Sequence, residues 1–158
     1  MVAGALMSGH IKGDERLTVQ LQTEAPESGL LCDIHATGSI RARFKPRAFS
    51  DKPLSVINGV LLVIKHNKKR ELYRGISAIE NETIESALRR YLKQSEQVES
   101  ALKIAVEQNE KGQLIRAFGV VIERLPPVPD LPEISPKEFH KKYDVIATMT
   151  YKELNHQL

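Results

Sequence analysis

The sequence predicts an α+β fold: a largely antiparallel sheet with packed helices, then a proline-rich linker and a short C-terminal helix. Three observations carry that expectation. Between Leu17 and Phe44, apolar and polar residues alternate in short runs separated by turn formers, the period of strands with one wet face. Between Ile84 and Leu92 the apolar spacing changes to that of a helix. From Leu125 to Pro136, five prolines stand in twelve residues, which removes the donors that regular structure needs.

Each element follows from its residues. Leu17, Val19 and Leu21 alternate with Thr18, Gln20 and Gln22 to make a first strand, and Pro26 and Gly29 turn the chain after it. Leu30 to His35 resumes a strand, Ala36-Thr37-Gly38 turns it, and Ser39 to Phe44 alternates again through Ile40, Ala42 and Phe44. Three strands with short connections form an antiparallel meander. A loop with Pro46 and Pro53 follows. Leu61–Lys65 and Glu71–Ile76 then read as a further hairpin around the basic cluster Lys65-His66-Asn67-Lys68-Lys69-Arg70, a solvated loop.

Thr83 is placed to cap a helix over Ile84 to Ser95. Its apolar stripe is Ile84, Ala87, Leu88, Tyr91 and Leu92, directed at a sheet, with Glu85, Arg89, Arg90 and Lys93 facing water. Leu102–Val106 and Leu114–Leu125 read as strands joined by a turn at Asn109–Gly112, with Gly119 marking a bulge or a close backbone approach. Beyond the prolines, Ser135-Pro136-Lys137-Glu138 combines a capping serine, a proline at the first helical position and a glutamate at the third. Phe139, Tyr143 and Ile146 share one face of the helix that follows.

Composition narrows the function classes. A chain with 41% hydrophobic and 27% charged residues is an ordinary globular protein. The net charge of +3 arises from interspersed charges, so no nucleic-acid partner is expected. One cysteine, Cys32, excludes an intrachain disulfide and a multi-thiolate metal site, and fits a reducing cytoplasm. The opening Met1–Gly9 has no basic residue ahead of it and too few apolar positions for a signal peptide. No run approaches the roughly 18 apolar residues of a membrane span, so the reading is a cytoplasmic protein with no membrane partner.

No catalytic constellation emerges. His10, His35, His66, His140 and His156 are scattered, and none has the i, i+3 or i+4 spacing that aims two imidazoles at one metal. Gly4 and Gly9 have the spacing of a phosphate loop, but His10-Ile11 stands where Lys-Ser or Lys-Thr is required. Cys32 lies inside a strand-like run, where a thiol is buried and inert. Asp14, Glu15 and Asp33 read as turn and strand-edge carboxylates. No enzyme, cofactor site or metal site is expected.

One stretch is more specific than any of these. Tyr91-Leu92-Lys93-Gln94-Ser95-Glu96-Gln97-Val98 closes the helix and leads straight into the strand-like run from Ala101, an order that no general structural rule requires. It resembles the core domain of the 33 kDa heat-shock holdases, the redox-regulated chaperones. Ordered pieces extend the resemblance across Ala3 to Pro127. They are Gly4-Ala5-Leu6-Met7 with Ile11-Lys12-Gly13, Arg16 to Gln22, Gly38 with Arg41, Tyr73-Arg74-Gly75, and Val121-Ile122-Glu123-Arg124-Leu125-Pro126. Tyr73, Gly75, Tyr91, Ser95, Glu96 and Gln97 are its signature residues.

The resemblance implies an ATP-independent chaperone that binds unfolding or oxidatively damaged client proteins. A core sheet without the family's N-terminal strand exposes an edge or borrows one from a partner, so a homodimer or a marginal fold is expected. It divides the chain into a core at 1–125, a linker at 126–136 and a helical segment at 137–158. Phe139, Tyr143 and Ile146 are then candidate client contacts, the alternative for them being docking on the sheet. Family members are nearly twice as long, with a further N-terminal strand and helix and a C-terminal zinc-binding redox domain. The Cys-x-Cys and Cys-x-x-Cys of that domain have no counterpart here, so neither zinc nor the redox switch is carried over. Phe118 also stands where the family usually has a glycine. A non-chaperone interaction module, or a degenerate fragment of a longer chaperone, is the other reading.

Overall fold

The computed structural model describes residues 1–24, 29–44, 56–150 and 152–154. Pro26, the loop with Pro46 and Pro53, and His156 lie outside the described residues. The chain divides into two compact units, Ala3–Leu88 with Met1 and Arg89–Leu158 with Val2. The division falls inside a helix, upstream of the prolines.

Among the described residues, the first unit contains a five-stranded antiparallel sheet. Its strands are β1 (Arg16–Thr23), β2 (Gly29–His35), β3 (Ile40–Phe44), β4 (Ile57–His66) and β5 (Glu71–Glu82), in the order β3-β2-β1-β4-β5. The expected meander is present, with Gly38 at φ 83 in the turn between β2 and β3. Register sorts the side chains into two faces, because neighbours directly opposite share a face. Leu17 lies opposite Ile34, Val19 opposite Cys32 and Val63, and Leu21 opposite Leu61. Of these, Leu17, Cys32, Ile34, Leu61 and Val63 are buried. The N-terminal helix α1 (Val2–Met7) covers this face: a Cβ on Gly4 would stand 3.2 Å from Ile34 Cδ1 and 3.7 Å from Cys32 Cβ.

β4 and β5 run longer than their sequence suggests, because pairing supplies what propensity does not. Gln22 and Thr23 of β1 hold Val60 and Gly59 in the ladder, and β5 then extends along Ile57–Leu61 through the weak strand formers Ser77, Ala78, Glu80 and Asn81. Gly59 makes this possible. A side chain there would run into the Gln22 carbonyl oxygen and lie 2.8 Å from the Thr23 Cα. The register shift beside it, between Ile57 and Gly59, is a bulge.

Helix α2 (Ile84–Tyr91) begins as expected, with the Thr83 hydroxyl accepting from the Ser86 N–H at 3.2 Å. Its stripe is largely buried at Ala87, Leu88, Tyr91 and Leu92.

The second unit contains the antiparallel hairpin of β6 (Ser100–Gln108) and β7 (Leu114–Glu123), turned at Asn109. The Asn109 side chain accepts from the Lys111 and Gln113 N–H groups and so fixes the turn. Gly119 carries no bulge: it pairs in register with Ile104, and the irregularity lies between Glu107 and Gln108 beside the turn. Helix α3 (Pro136–Tyr143) follows the proline segment, with the expected reciprocal capping of Ser135 and Glu138.

Candidate functional site

Three features of the structure bear on function. The first is the second face of the five-stranded sheet. Thr18 and Gln20 of β1 lie opposite Ile64 and Leu62 of β4, which lie opposite Arg74 and Ile76 of β5. On the β2 side, Thr18 and Gln20 lie opposite Asp33 and Leu31, and these lie opposite Arg41 and Arg43 of β3. This face therefore mixes apolar side chains with a polar row. Ile76 is 70% exposed and Val60 39%. The row is ordered by the Thr18 hydroxyl, which donates to Asp33 Oδ1 at 2.7 Å and lies 3.3 Å from His66 Nε2. Asp33, expected at a strand edge, instead sits inside this row.

The second is the stretch Tyr91 to Val98, which proves to be a helix terminator with defined geometry. After Tyr91 the helix widens into a π turn over Leu92–Glu96, and Gln97 takes the left-handed conformation at φ 58. The Val98 N–H then donates to the Leu92 carbonyl at 3.0 Å, closing the end as a left-handed cap does. Tyr91 is buried, and its hydroxyl reaches back to Glu96 Oε1 at 3.2 Å. Tyrosine and glutamate are thus tied across the widened turn. Ser95 lies within that turn. Tyr73 and Gly75 stand elsewhere, on β5: Tyr73 is exposed, and Gly75 is buried opposite Val63.

The third is the docking of α3 on the hairpin. Phe139 and Ile146 are buried with Ala101, packed against Val120, Ile122, Ile134, Tyr143 and Met149. Of the two readings of Phe139, Tyr143 and Ile146, client contacts or docking on a sheet, the docked arrangement is the one present in the structure. Capping aims the helix so that its apolar face closes over β6 and β7, and Phe139 retains 1% of its exposure.

A polar cluster borders that core. His140 Nε2 lies 2.9 Å from Glu99 Oε2, and His140 Nδ1 lies 3.1 Å from Asp144 Oδ1. Arg89 Nη2 donates to the same Asp144 oxygen at 3.0 Å, and Arg89 Nε donates to the Ser100 carbonyl. Two carboxylates on opposite ring nitrogens favour the imidazolium, which donates at both, so the histidine pKa is raised. Hydrogen bonds from Lys93 and then His140 lower that of Glu99. Arg89, expected to face water, is therefore a half-buried tie. Nothing local announces the cluster, since Glu99 and His140 are 41 residues apart.

Among the described residues, no group of three His, Cys, Asp or Glu side chains is arranged to hold a metal ion. Cys32 is buried in β2. These residues do not fit a thiolate zinc site. Among the described residues, no helix is long and apolar enough to cross a membrane.

Comparison with known proteins accords with this geometry. The chain is 31% identical over 136 residues to a 33 kDa chaperonin of Shouchella clausii, covering 80% of this chain and 46% of that protein. It is 29% identical over 140 residues to a 33 kDa chaperonin of Bacillus subtilis, covering 82% and 48%. The chain thus spans about half the length of the curated relatives it matches. The crystal structure of the Thermotoga maritima 33 kDa chaperonin shares the fold, with a TM-score of 0.60 at 19% identity over 76% of this chain and 44% of that one. The family model described as Hsp33 protein matches residues 1–158, and the chain belongs to the Hsp33 family.

Proposed function

We propose that this chain is the client-holding core of a chaperone, binding unfolding proteins without ATP through the exposed apolar face of its five-stranded sheet. The observation that supports this reading is the presence of Ile76, 70% exposed, and Val60, 39% exposed, on one sheet face with Leu62 and Ile64. Apolar side chains gathered on one exposed face mark an interaction surface. The sequence offers no phosphate-binding loop to couple such binding to nucleotide hydrolysis. Phe139, Tyr143 and Ile146 meet clients only once α3 leaves the hairpin, so the sheet face is the better-supported surface. With one buried cysteine and no thiolate set, client binding by these residues is proposed to need neither zinc nor disulfide exchange.

Light scattering from a thermally unfolding client enzyme tests the reading. Substoichiometric protein is expected to suppress aggregation equally in reductant and in peroxide. Ile76→Asp is expected to weaken suppression with no loss of helix or strand signal by circular dichroism. No suppression in either redox state sinks the chaperone reading, and a large redox difference sinks its switch-free form.

A further inference from the structure

The outer edge of β3 combines three properties that the sheet face does not explain. Among the described residues it is an edge strand: β3 ends the order of the sheet, and Arg41, Ala42, Arg43 and Phe44 are all exposed. Its backbone is turned outward at definite positions. The His35 N–H donates to the Ser39 carbonyl at 2.9 Å, so the antiparallel alternation makes Asp33–Arg41 and Leu31–Arg43 hydrogen-bonded pairs as well. Arg41 and Arg43 therefore spend their backbone groups on β2, and those of Ala42 point away from the sheet. Finally, its side chains are sorted by charge. Arg41 and Arg43 share one face, opposite Asp33 and Leu31, and a surface cavity of about 380 Å³ is lined by these four residues together with Ala42. Ala42 and Phe44, the latter 59% exposed, share the other. Asp33 turns its Oδ1 toward Thr18 on the side away from β3, and no ion pair occupies either guanidinium among the described residues.

We propose that this edge captures extended client segments in which acidic and apolar side chains alternate, adding them to the sheet as a further antiparallel strand. The proposal deepens the chaperone reading, on which it rests for the identity of the segment as a client. A residue of the incoming strand opposite Ala42 exchanges both backbone hydrogen bonds with it. The residues opposite Arg41 and Arg43 then fall in non-hydrogen-bonded pairs, where Cα atoms approach to about 4.5 Å and side chains are closest. Opposite charges placed there stabilise a sheet, and like charges destabilise it. Carboxylates spaced two residues apart meet the two arginines in succession, and the apolar residues between them join Ala42 and Phe44. A lysine-bearing strand of the same pattern meets repulsion at both positions.

Fluorescence anisotropy with a labelled eight-residue peptide of alternating Glu and Val decides the matter. Its counterpart with Lys in place of Glu, and an eight-nucleotide oligothymidine, serve as competitors. The Glu peptide is expected to bind at least about tenfold more tightly than either. Arg41→Gln with Arg43→Gln is expected to remove that preference. Ala42→Pro, which deletes an outward N–H and leaves the β2 ladder intact, is expected to abolish binding while retaining the β signal in circular dichroism. Equal binding of the Glu and Lys peptides, or of the oligonucleotide, overturns the proposal, as does unchanged binding by the double-glutamine variant. Client light scattering with the same proteins judges the chaperone reading separately. Peptide selectivity without suppression keeps the edge site and removes its chaperone role.

Discussion

Gly59 and Tyr91 show how single residues decide local geometry. At Gly59 the β1 backbone occupies the space of a side chain, with the Thr23 Cα 2.8 Å from where a Cβ would stand. Gly59→Ala must therefore displace β4 from β1 or shift the bulge. We expect a loss of more than about 1 kcal/mol, measured by urea denaturation followed by circular dichroism, since glycine replacement at an incompatible position exceeds the usual entropic gain. Tyr91→Phe is milder. It keeps the buried ring and removes the hydroxyl contact to Glu96, an expected cost of about 0.5–1.5 kcal/mol by the same measurement. A stability equal to that of the parent protein would show that the π turn holds without the tie. The Tyr91 signature was legible in the sequence as a pattern, yet its meaning as a helix terminator was not. A left-handed Gln97 is invisible without the backbone.

At the scale of elements, the attachment of α3 to the hairpin carries a pH dependence. The charged groups facing His140 are Glu99 before β6, Asp144 after α3 and Arg89 of α2, with Lys93 reaching Glu99 at 2.9 Å. The His140 pKa is raised in the folded state, so its contribution is complete below its ordinary value of about 6.5 and is lost as pH rises through the raised one. The lowered pKa of Glu99 acts oppositely: its contribution is present above about 4.5 and is lost as pH falls through the lowered value. Thermal unfolding of the parent protein is therefore expected to show greatest stability between those two limits and to weaken on the alkaline side. His140→Gln should flatten the alkaline limb, and an unchanged limb would assign it to other groups.

The proline segment also changes character at this scale. Composition marks it as a stiff spacer, but Arg124 at the end of β7 donates to the Ile134 carbonyl and to Glu133, both at 2.6 Å. Both ends of the segment are thereby gathered at one residue, and Leu125, Val128 and Leu131 are left exposed between them.

For the whole molecule, sheet edges are the feature with consequences. Among the described residues, β3 and β5 stand at the two ends of the five-stranded order, and β6–β7 is a sheet of two strands. Unpaired edges are templates for association. We expect the purified chain to form dimers or larger species as concentration rises, read by size-exclusion chromatography with light scattering. A compact, concentration-independent monomer would count against that expectation.

The sequence by itself determined the meander, the capped helices, the turns at Gly38 and Asn109, and the family, because each rests on spacing within a few residues of one another. Tertiary structure decided the rest. It extended β4 and β5 by pairing them with a neighbour, placed Gly119 in register opposite Ile104, and closed Phe139, Tyr143 and Ile146 over the hairpin. It also brought Glu99, His140, Asp144 and Arg89 together. The physical reason is common to all of these. An apolar stripe or a charged side chain states what it requires, but the partner that satisfies it is chosen by the path of the chain in space.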